Sequence, residues 1–125
     1  MKDVDAGFLI ELQKHAIYSG SGDEAFLAGV VRDWGTLDYI ASKINEAKTP
    51  LMRASTALCL ISNLHPFMDG NKRTALLTCH MLLKPYVVAE DSDKMDVFIR
   101  EVGSGTYDVG DVCDWLKERI KVFTR

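Results

Sequence analysis

Apolar residues recur at helical spacing along most of the chain, and this pattern predicts a fold built from α-helices. At about 3.6 residues per turn, positions i, i+3, i+4 and i+7 lie on one face of a helix. Segments with such an apolar stripe are bounded here by residues that cap or break helices. The predicted helices cover residues 3–18, 36–47, 49–63, 71–84, 91–102 and 108–123, with a weaker helix or loop at 23–31.

Two of these predicted helices have almost no polar face. Residues 57–61 are all apolar, and residues 75–83 contain only Thr78 and His80 as polar positions. A helix that is apolar on every side is normally buried, so helices 49–63 and 71–84 should form the centre of the fold. We expect one domain over residues 1–125, all-α, with six to seven helices in a compact bundle. The loop between the two central helices then has a rigid support on both sides.

Local signals predict several helix ends and anchors. Thr49 and Pro50 are typical of a helix start, and Thr36 is the expected cap of the helix before them. Asp69 is a candidate cap for helix 71–84, and Asp91 or Ser92 for the next helix. In segment 23–31, apolar anchors are expected at Phe26, Leu27 and Val30. After Pro85, a short extended piece is expected at residues 86–88.

Composition and charge narrow the class of protein. The chain has 125 residues, of which 47% are hydrophobic, which is enough apolar mass for one core. A net charge of -3 gives no general argument for binding nucleic acid or a membrane surface. No apolar run has membrane-spanning length and no signal-peptide pattern is present, so we expect a cytoplasmic protein. The three widely spaced cysteines lie on apolar faces and are expected to be buried, reduced thiols.

Residues 65–73, here called the signature stretch, do not follow the packing pattern. They read His-Pro-Phe-Met-Asp-Gly-Asn-Lys-Arg. The predicted helix begins within this stretch, and Lys72 and Arg73 then stand in its first turn, where cations are unfavourable by roughly 0.3–1 kcal/mol each. A bound phosphate would reverse that effect, because a helix N-terminus attracts anions and Gly70 allows close approach to the backbone. The combination predicts an anion site.

The signature stretch resembles the motif of the Fic/Doc family, His-Pro-Phe-x-(Asp/Glu)-Gly-Asn-(Gly/Lys)-Arg. Apart from the variable positions, every residue of the motif is matched at its place. The length of the chain is similar to that of Doc-type members, and Arg32-Asp33 with Gly35 and Leu37 resembles their N-terminal region. The resemblance implies an ATP-dependent, Mg²⁺-assisted transferase that modifies a hydroxyl side chain of a target protein.

The resemblance also implies a role for each site residue. His65 would take the proton of the attacking hydroxyl, and Asp69 would hold Mg²⁺. The phosphates would be bound by residues at the start of the helix, and Arg73 would in addition offset charge in the transition state. The residues expected to bind phosphate are Gly70, Asn71, Lys72 and Arg73. Phe67 is expected to be a packing anchor. In this family a flap aligns the target, and residues 23–35 are its expected location.

Two positions separate the branches of the family. Members that transfer AMP have glycine where Lys72 stands and a second arginine where Leu76 stands. Lysine and an apolar residue are the Doc-type arrangement, which implies a toxin that moves the terminal phosphate of ATP to a translation elongation factor, elongation factor Tu. The alternatives are an AMP-transferase of the Fic type and a non-catalytic binding module with the same fold.

The expected partners are the target protein and an antitoxin in trans. Residues 42–47 come nearest to the self-inhibitory motif of the family but lack its final residue, so inhibition should come from another protein. No direct contact with nucleic acid or membrane is expected. A nucleotide site of the phosphate-loop type is not favoured, since residues 70–74 (Gly-Asn-Lys-Arg-Thr) do not satisfy that motif. A zinc site is not favoured either, because the adjacent Cys79 and His80 point apart on a helix. A Cys–His nucleophile pair stays open at this stage.

Overall fold

The computed structural model describes residues 2–19 and 25–122, and these form six α-helices, a 3₁₀ turn and a two-stranded sheet. The predicted all-α bundle is confirmed, with the sheet as a small addition at one end. The helices are α1 (Ala6–Tyr18), α2 (Trp34–Glu46), α3 (Pro50–Leu64), α4 (Asn71–Leu83), α5 (Ser92–Gly103) and α6 (Val109–Lys117). The 3₁₀ turn is Ala25–Leu27, and the strands are β1 (Tyr86–Val88) and β2 (Ile120–Val122).

Helix α3 is the centre of the fold, as its apolar sequence predicts. It contacts α2, α4, α5 and α6, and most of its side chains are buried. Helix α4 packs along α3 more extensively than any other pair of described elements. The prediction that α4 is buried on all sides needs one correction, because Met81 is 38% exposed while Leu76 and Leu77 are only half-buried. The outer face of α4 is therefore available to solvent.

Local capping explains where the helices begin. Helix α3 starts as predicted, with the Thr49 hydroxyl accepting a hydrogen bond from the Met52 N–H and Pro50 in the first helical position. For α2 the predicted cap is wrong, since Asp33 is the cap and its carboxylate accepts from the Thr36 N–H at 3.0 Å. Thr36 therefore lies inside the first turn of the helix.

The C-terminal end of the chain differs from the prediction. Helix α6 ends at Lys117, and residues 120–122 form β2, which pairs antiparallel with β1. Tyr86 faces Val122 and Val88 faces Ile120 in this register. The extended piece predicted at residues 86–88 is confirmed, and residues 120–122 pair with it as a strand instead of continuing the helix. Phe123, the last residue of the predicted stripe, lies outside the described residues.

The segment ahead of α2 is less buried than predicted. Phe26 is 78% exposed and Val30 is 38% exposed, so these two are not anchors of the core. Leu27 is half-buried. Asp23 and Glu24, which belong to the segment predicted as a weak helix or loop, lie outside the described residues. Hydrogen bonds to Gln13 and to the signature stretch hold this part of the chain in place.

The cysteines are free thiols, as predicted. Cys59 and Cys79 are buried, whereas Cys113 is only half-buried. Among the described residues, no helix combines the length and the apolar character needed to cross a membrane.

Candidate active site

The C-terminal end of α3 delivers His65 in an unusual backbone conformation. Its φ is 51° and its ψ is 64°, which places a non-glycine residue in the left-handed region. That region costs an L-residue about 1–2 kcal/mol, and the proline that follows restricts the residue further. The His65 N–H still donates to the Ile61 carbonyl at 3.3 Å, so the helix ends at this residue and the chain turns sharply. Strain of this kind is concentrated at functional sites.

Residues 30–33 run along the signature stretch and hold its backbone. Val31 and Phe67 form an isolated antiparallel bridge. The Arg32 N–H donates to the Pro66 carbonyl at 2.8 Å, and the Met68 N–H donates to the Val30 carbonyl at 3.2 Å. The Arg32 side chain adds two more contacts, from Nε to the His65 carbonyl at 2.6 Å and from Nη2 to the Leu64 carbonyl at 2.7 Å. Segment 30–33 therefore lies alongside the signature stretch and fixes its backbone.

The start of α4 has no side-chain cap. Gly70 is the N-cap residue, with φ 78° and ψ 15°, and no side chain accepts a hydrogen bond from the first turn. The prediction that Asp69 caps this helix is wrong, because Gly70 takes the cap position and Asp69 lies one residue ahead of it. The other five α-helices of the described chain each have a side-chain cap, from Asp5, Asp33, Thr49, Asp91 and Asp108. The first N–H groups of α4 are therefore free to bind an anion.

Asn71 ties the loop to the helix. Its Oδ1 accepts from the Phe67 N–H at 3.0 Å, and its Nδ2 donates to the Phe67 carbonyl at 2.9 Å. Phe67 itself is 1% exposed, which confirms it as a packing anchor. Since the Asn71 amide is engaged with the loop, the backbone N–H of this residue is the group left for a phosphate.

Gln13 of α1 holds the signature stretch in place, and the sequence did not predict this role. Its side chain is fully buried, with Nε2 donating to the Asp69 carbonyl at 3.1 Å and to the Leu27 carbonyl at 3.2 Å. Its Oε1 accepts from the Gly29 N–H at 2.7 Å. The available signal was a polar residue on the apolar stripe of α1, directly after Leu12. A buried amide with three hydrogen-bond partners on two loops fixes those loops relative to each other.

One cavity collects the predicted site residues. It has a volume of about 420 Å³ and lies at the N-terminal end of α4. Every residue predicted to be catalytic, phosphate-binding or metal-binding contributes to its lining, and Met68 completes it. The lining residues are His65, Met68, Asp69, Gly70, Asn71, Lys72 and Arg73. These residues come from the loop after α3 and from the first turn of α4.

The charge balance of the cavity favours a polyanion. Lys72 and Arg73 are exposed, and no carboxylate of the described residues lies within 4.0 Å of either cation. Asp69 supplies one carboxylate. The described residues contain no cluster of three or more His, Cys, Asp or Glu that could hold a metal by itself. A single carboxylate does fit Mg²⁺ that is bound mainly through phosphates and water.

Two of the three cysteines, Cys59 and Cys79, do not offer a nucleophile. Burial raises the pKa of Cys79 to about 12. Burial, with a smaller contribution from Asp108 and Asp111, raises the pKa of Cys59 to about 11. Both stay protonated at neutral pH, and only a thiolate is an effective nucleophile. The Cys–His pair left open by the sequence is therefore not supported at these two positions.

Comparison with known proteins identifies the family. The model of the Fic/DOC family matches residues 3–83, well over half of the chain. The matched region runs from just before α1 to the end of α4 and contains the whole cavity described above. No curated protein matches the chain. Members of this family generally transfer nucleotide groups to proteins, using a nucleoside triphosphate and a divalent metal. The chain belongs to the Fic/Doc family.

Proposed function

We propose that this protein is a Doc-like toxin that transfers the terminal phosphate of ATP to a hydroxyl side chain of a translation elongation factor. The observation that carries the proposal is the shared cavity. It brings an imidazole, a carboxylate and an uncapped helix N-terminus with two cations into one space of about 420 Å³. A base beside a phosphate-binding site is the minimum that phosphoryl transfer to a hydroxyl requires.

In this proposal the phosphates are held at the start of α4. The N–H groups of the first turn, the Lys72 ammonium and the Arg73 guanidinium supply positive partners, and Arg73 can bind two oxygens as a fork. His65 accepts the proton of the target hydroxyl. Asp69 is the residue that would hold Mg²⁺, which offsets phosphate charge when it is bound.

The choice of phosphoryl transfer over AMP transfer rests on Lys72 and Leu76. Lys72 lies at the opening of α4, where its ammonium competes with the inner phosphates for space. Leu76 is half-buried and lines a different cavity, together with His80, Val88 and Met95. No second phosphate-binding arginine is supplied from that position, and this favours transfer of the terminal phosphate alone.

We infer that a separate antitoxin regulates the protein, and the position of the nearest inhibitor-like segment supports this proposal. Residues 42–47 belong to α2 and its C-terminal cap, and Ile44 faces the core with no exposed area. Glu46 pairs with Lys43 at 3.3 Å and lines a shallow cavity that shares no residue with the one at His65. Since this segment is part of a helix of the bundle, we propose that an antitoxin in trans supplies the inhibition. Segment 30–33, which borders the signature stretch, is the place proposed for aligning the target.

The test is transfer from labelled ATP to purified elongation factor Tu and to a cell lysate. We expect label from the γ-phosphate but not from the α-phosphate, and loss of transfer in His65→Ala. His15→Ala is the matched control, because His15 is an exposed histidine at the end of α1.

Each other outcome has its own meaning. Label from the α-phosphate would replace the kinase proposal with AMP transfer. Equal labelling by His65→Ala and the parent protein would refute a role for His65 as base. ATP binding without any transfer would point to the non-catalytic binding module.

A further inference from the structure

We propose that Arg32 is a positioning residue that sets the place of the His65 imidazole. The guanidinium spans the last two carbonyls of the α3 terminus, with Nε 2.6 Å from the His65 oxygen and Nη2 2.7 Å from the Leu64 oxygen. The proposal rests on the proposed function, in which His65 is the base. It adds a residue that lies outside the signature stretch and does not line the cavity.

His65 needs a support of this kind. It has a positive φ, which no other non-glycine residue of the described chain has, and it precedes a proline. Neither condition favours its conformation. The carbonyls of residues 64 and 65 lack helical partners, because the helix ends there. A cation at this point satisfies both carbonyls and complements the negative end of the helix dipole.

Arg32 is itself held firmly. Its own N–H donates to the Pro66 carbonyl at 2.8 Å, and the N–H of Asp33 donates to the same oxygen at 3.2 Å. Asp33 in turn caps α2. The guanidinium therefore starts from a backbone that is anchored to the loop and to a helix, and its rigid fork needs little further ordering. A change at residue 32 should move the loop rather than be absorbed by a flexible neighbour.

The competing interpretation is a cap that only stabilises α3. The two can be separated because Arg32 is exposed, so its replacement leaves no hole in the core. A mere cap would change the melting temperature and leave the turnover of the folded enzyme intact. A positioning residue changes kcat, since a displacement of about 1 Å of a catalytic group costs on the order of 100-fold in rate.

The experiment compares Arg32→Ala and Arg32→Lys with the parent. We measure kcat, KM for ATP, the melting temperature, and the coupling between the amide and α protons of His65, which depends on φ. For Arg32→Ala we expect kcat to fall by about 10- to 100-fold with KM for ATP nearly unchanged, and the coupling to change. Arg32→Lys should recover part of kcat, because one ammonium can reach one carbonyl but cannot form the fork.

Arg100→Ala is the matched control. Arg100 is an exposed arginine on α5 that pairs with Asp96 and has no contact with the loop. Its replacement should leave kcat and the His65 coupling unchanged.

Several results would overturn the proposal. One is full kcat in Arg32→Ala. Another is a fall in kcat that disappears when the assay is run well below the melting temperature. If the parent protein transfers nothing from ATP, the proposed function has failed, and the coupling then decides the structural claim by itself: an unchanged His65 coupling in Arg32→Ala refutes it, and a changed coupling supports it.

Discussion

Asn71 and Phe67 are joined by a reciprocal pair of hydrogen bonds, 3.0 Å from the Phe67 N–H to Oδ1 and 2.9 Å from Nδ2 to the Phe67 carbonyl. The first residue of α4 thus holds the middle of the loop that precedes it. One side chain fixes both the loop carrying His65 and the N-terminal end of α4. The geometry of the proposed base and that of the proposed phosphate site are therefore coupled.

Replacing Asn71 by Ala should damage both activity and stability. It leaves the N–H and the carbonyl of Phe67 without partners, which costs about 1–3 kcal/mol in the free energy of unfolding. Transfer activity should fall at least tenfold, because the loop loses its connection to the helix. Urea unfolding and the transfer assay measure the two effects. Asn63→Ala is the control, since Asn63 makes a longer bond of 3.4 Å to Val102, away from the loop. Wild-type activity in Asn71→Ala would contradict the coupling.

Gly70→Ala should destabilise the start of α4. The φ of 78° is unfavourable for alanine by about 1–2 kcal/mol, and the added Cβ would stand 3.2 Å from Cγ1 of Ile17. We expect a lower melting temperature and weaker ATP binding, measured by thermal scans and titration. Gly7→Ala is the control. Its Cβ would meet nothing closer than 3.4 Å and its φ is not positive, so this variant should melt at the same temperature as the parent or slightly higher. A stabilised Gly70→Ala would refute the geometry assigned to the cap.

Lys72→Ala should separate binding from stability. Lys72 is an exposed cation in the first turn, so its removal should leave the melting temperature unchanged or slightly raised. ATP affinity should fall, because the cation proposed to bind phosphate is lost. Lys94→Ala is a matched control in the first turn of α5, where Asp91 caps the helix, and it should not alter ATP affinity. A large loss of stability in Lys72→Ala would instead make Lys72 a structural residue.

Lys72→Gly tests the choice between phosphoryl and adenylyl transfer. Glycine should clear space for the inner phosphates, at a cost of about 1 kcal/mol in helix propensity. The intact mass of the modified target should then show some adenylyl-sized product beside the phosphoryl-sized one. Adding Leu76→Arg is a weaker test, because Leu76 lines a different cavity. If Lys72→Gly folds, binds ATP and still gives only the phosphoryl adduct, position 72 is not the selector.

The buried thiol of Cys79 should make the folded protein less stable at high pH. Its pKa is raised from 9.0 to about 12 by burial in the folded protein. Above pH 9 the unfolded chain releases the thiol proton while the folded chain retains it, so stability is full below pH 9 and is lost as pH rises towards 12. The slope approaches about 1.4 kcal/mol per pH unit. Urea unfolding at several pH values should show a smaller slope in Cys79→Ala. Equal slopes in the two proteins would exclude this contribution.

The sequence by itself determined the parts of the fold that depend on near neighbours. Thr49 and Pro50 start α3, Pro85 follows the end of α4, and the apolar runs in both helices predict their central place. The residues of the cavity were also predictable, because they are contiguous in the chain and match a family motif. Capping and helical periodicity act over a few residues, so a linear pattern is sufficient to reveal them.

The tertiary structure alone decided which residues support the site and where the chain ends its last helix. Arg32 reaches a carbonyl 33 positions away, and Gln13 reaches one 56 positions away. Residues 120–122 have the apolar spacing of a helix but form strand β2, which pairs with β1. The value of these contacts comes from a partner that is distant in the sequence, and an isolated arginine, glutamine or apolar triplet carries no local sign of that partner. Hydrogen bonds are satisfied in space, so only the folded chain identifies these pairs.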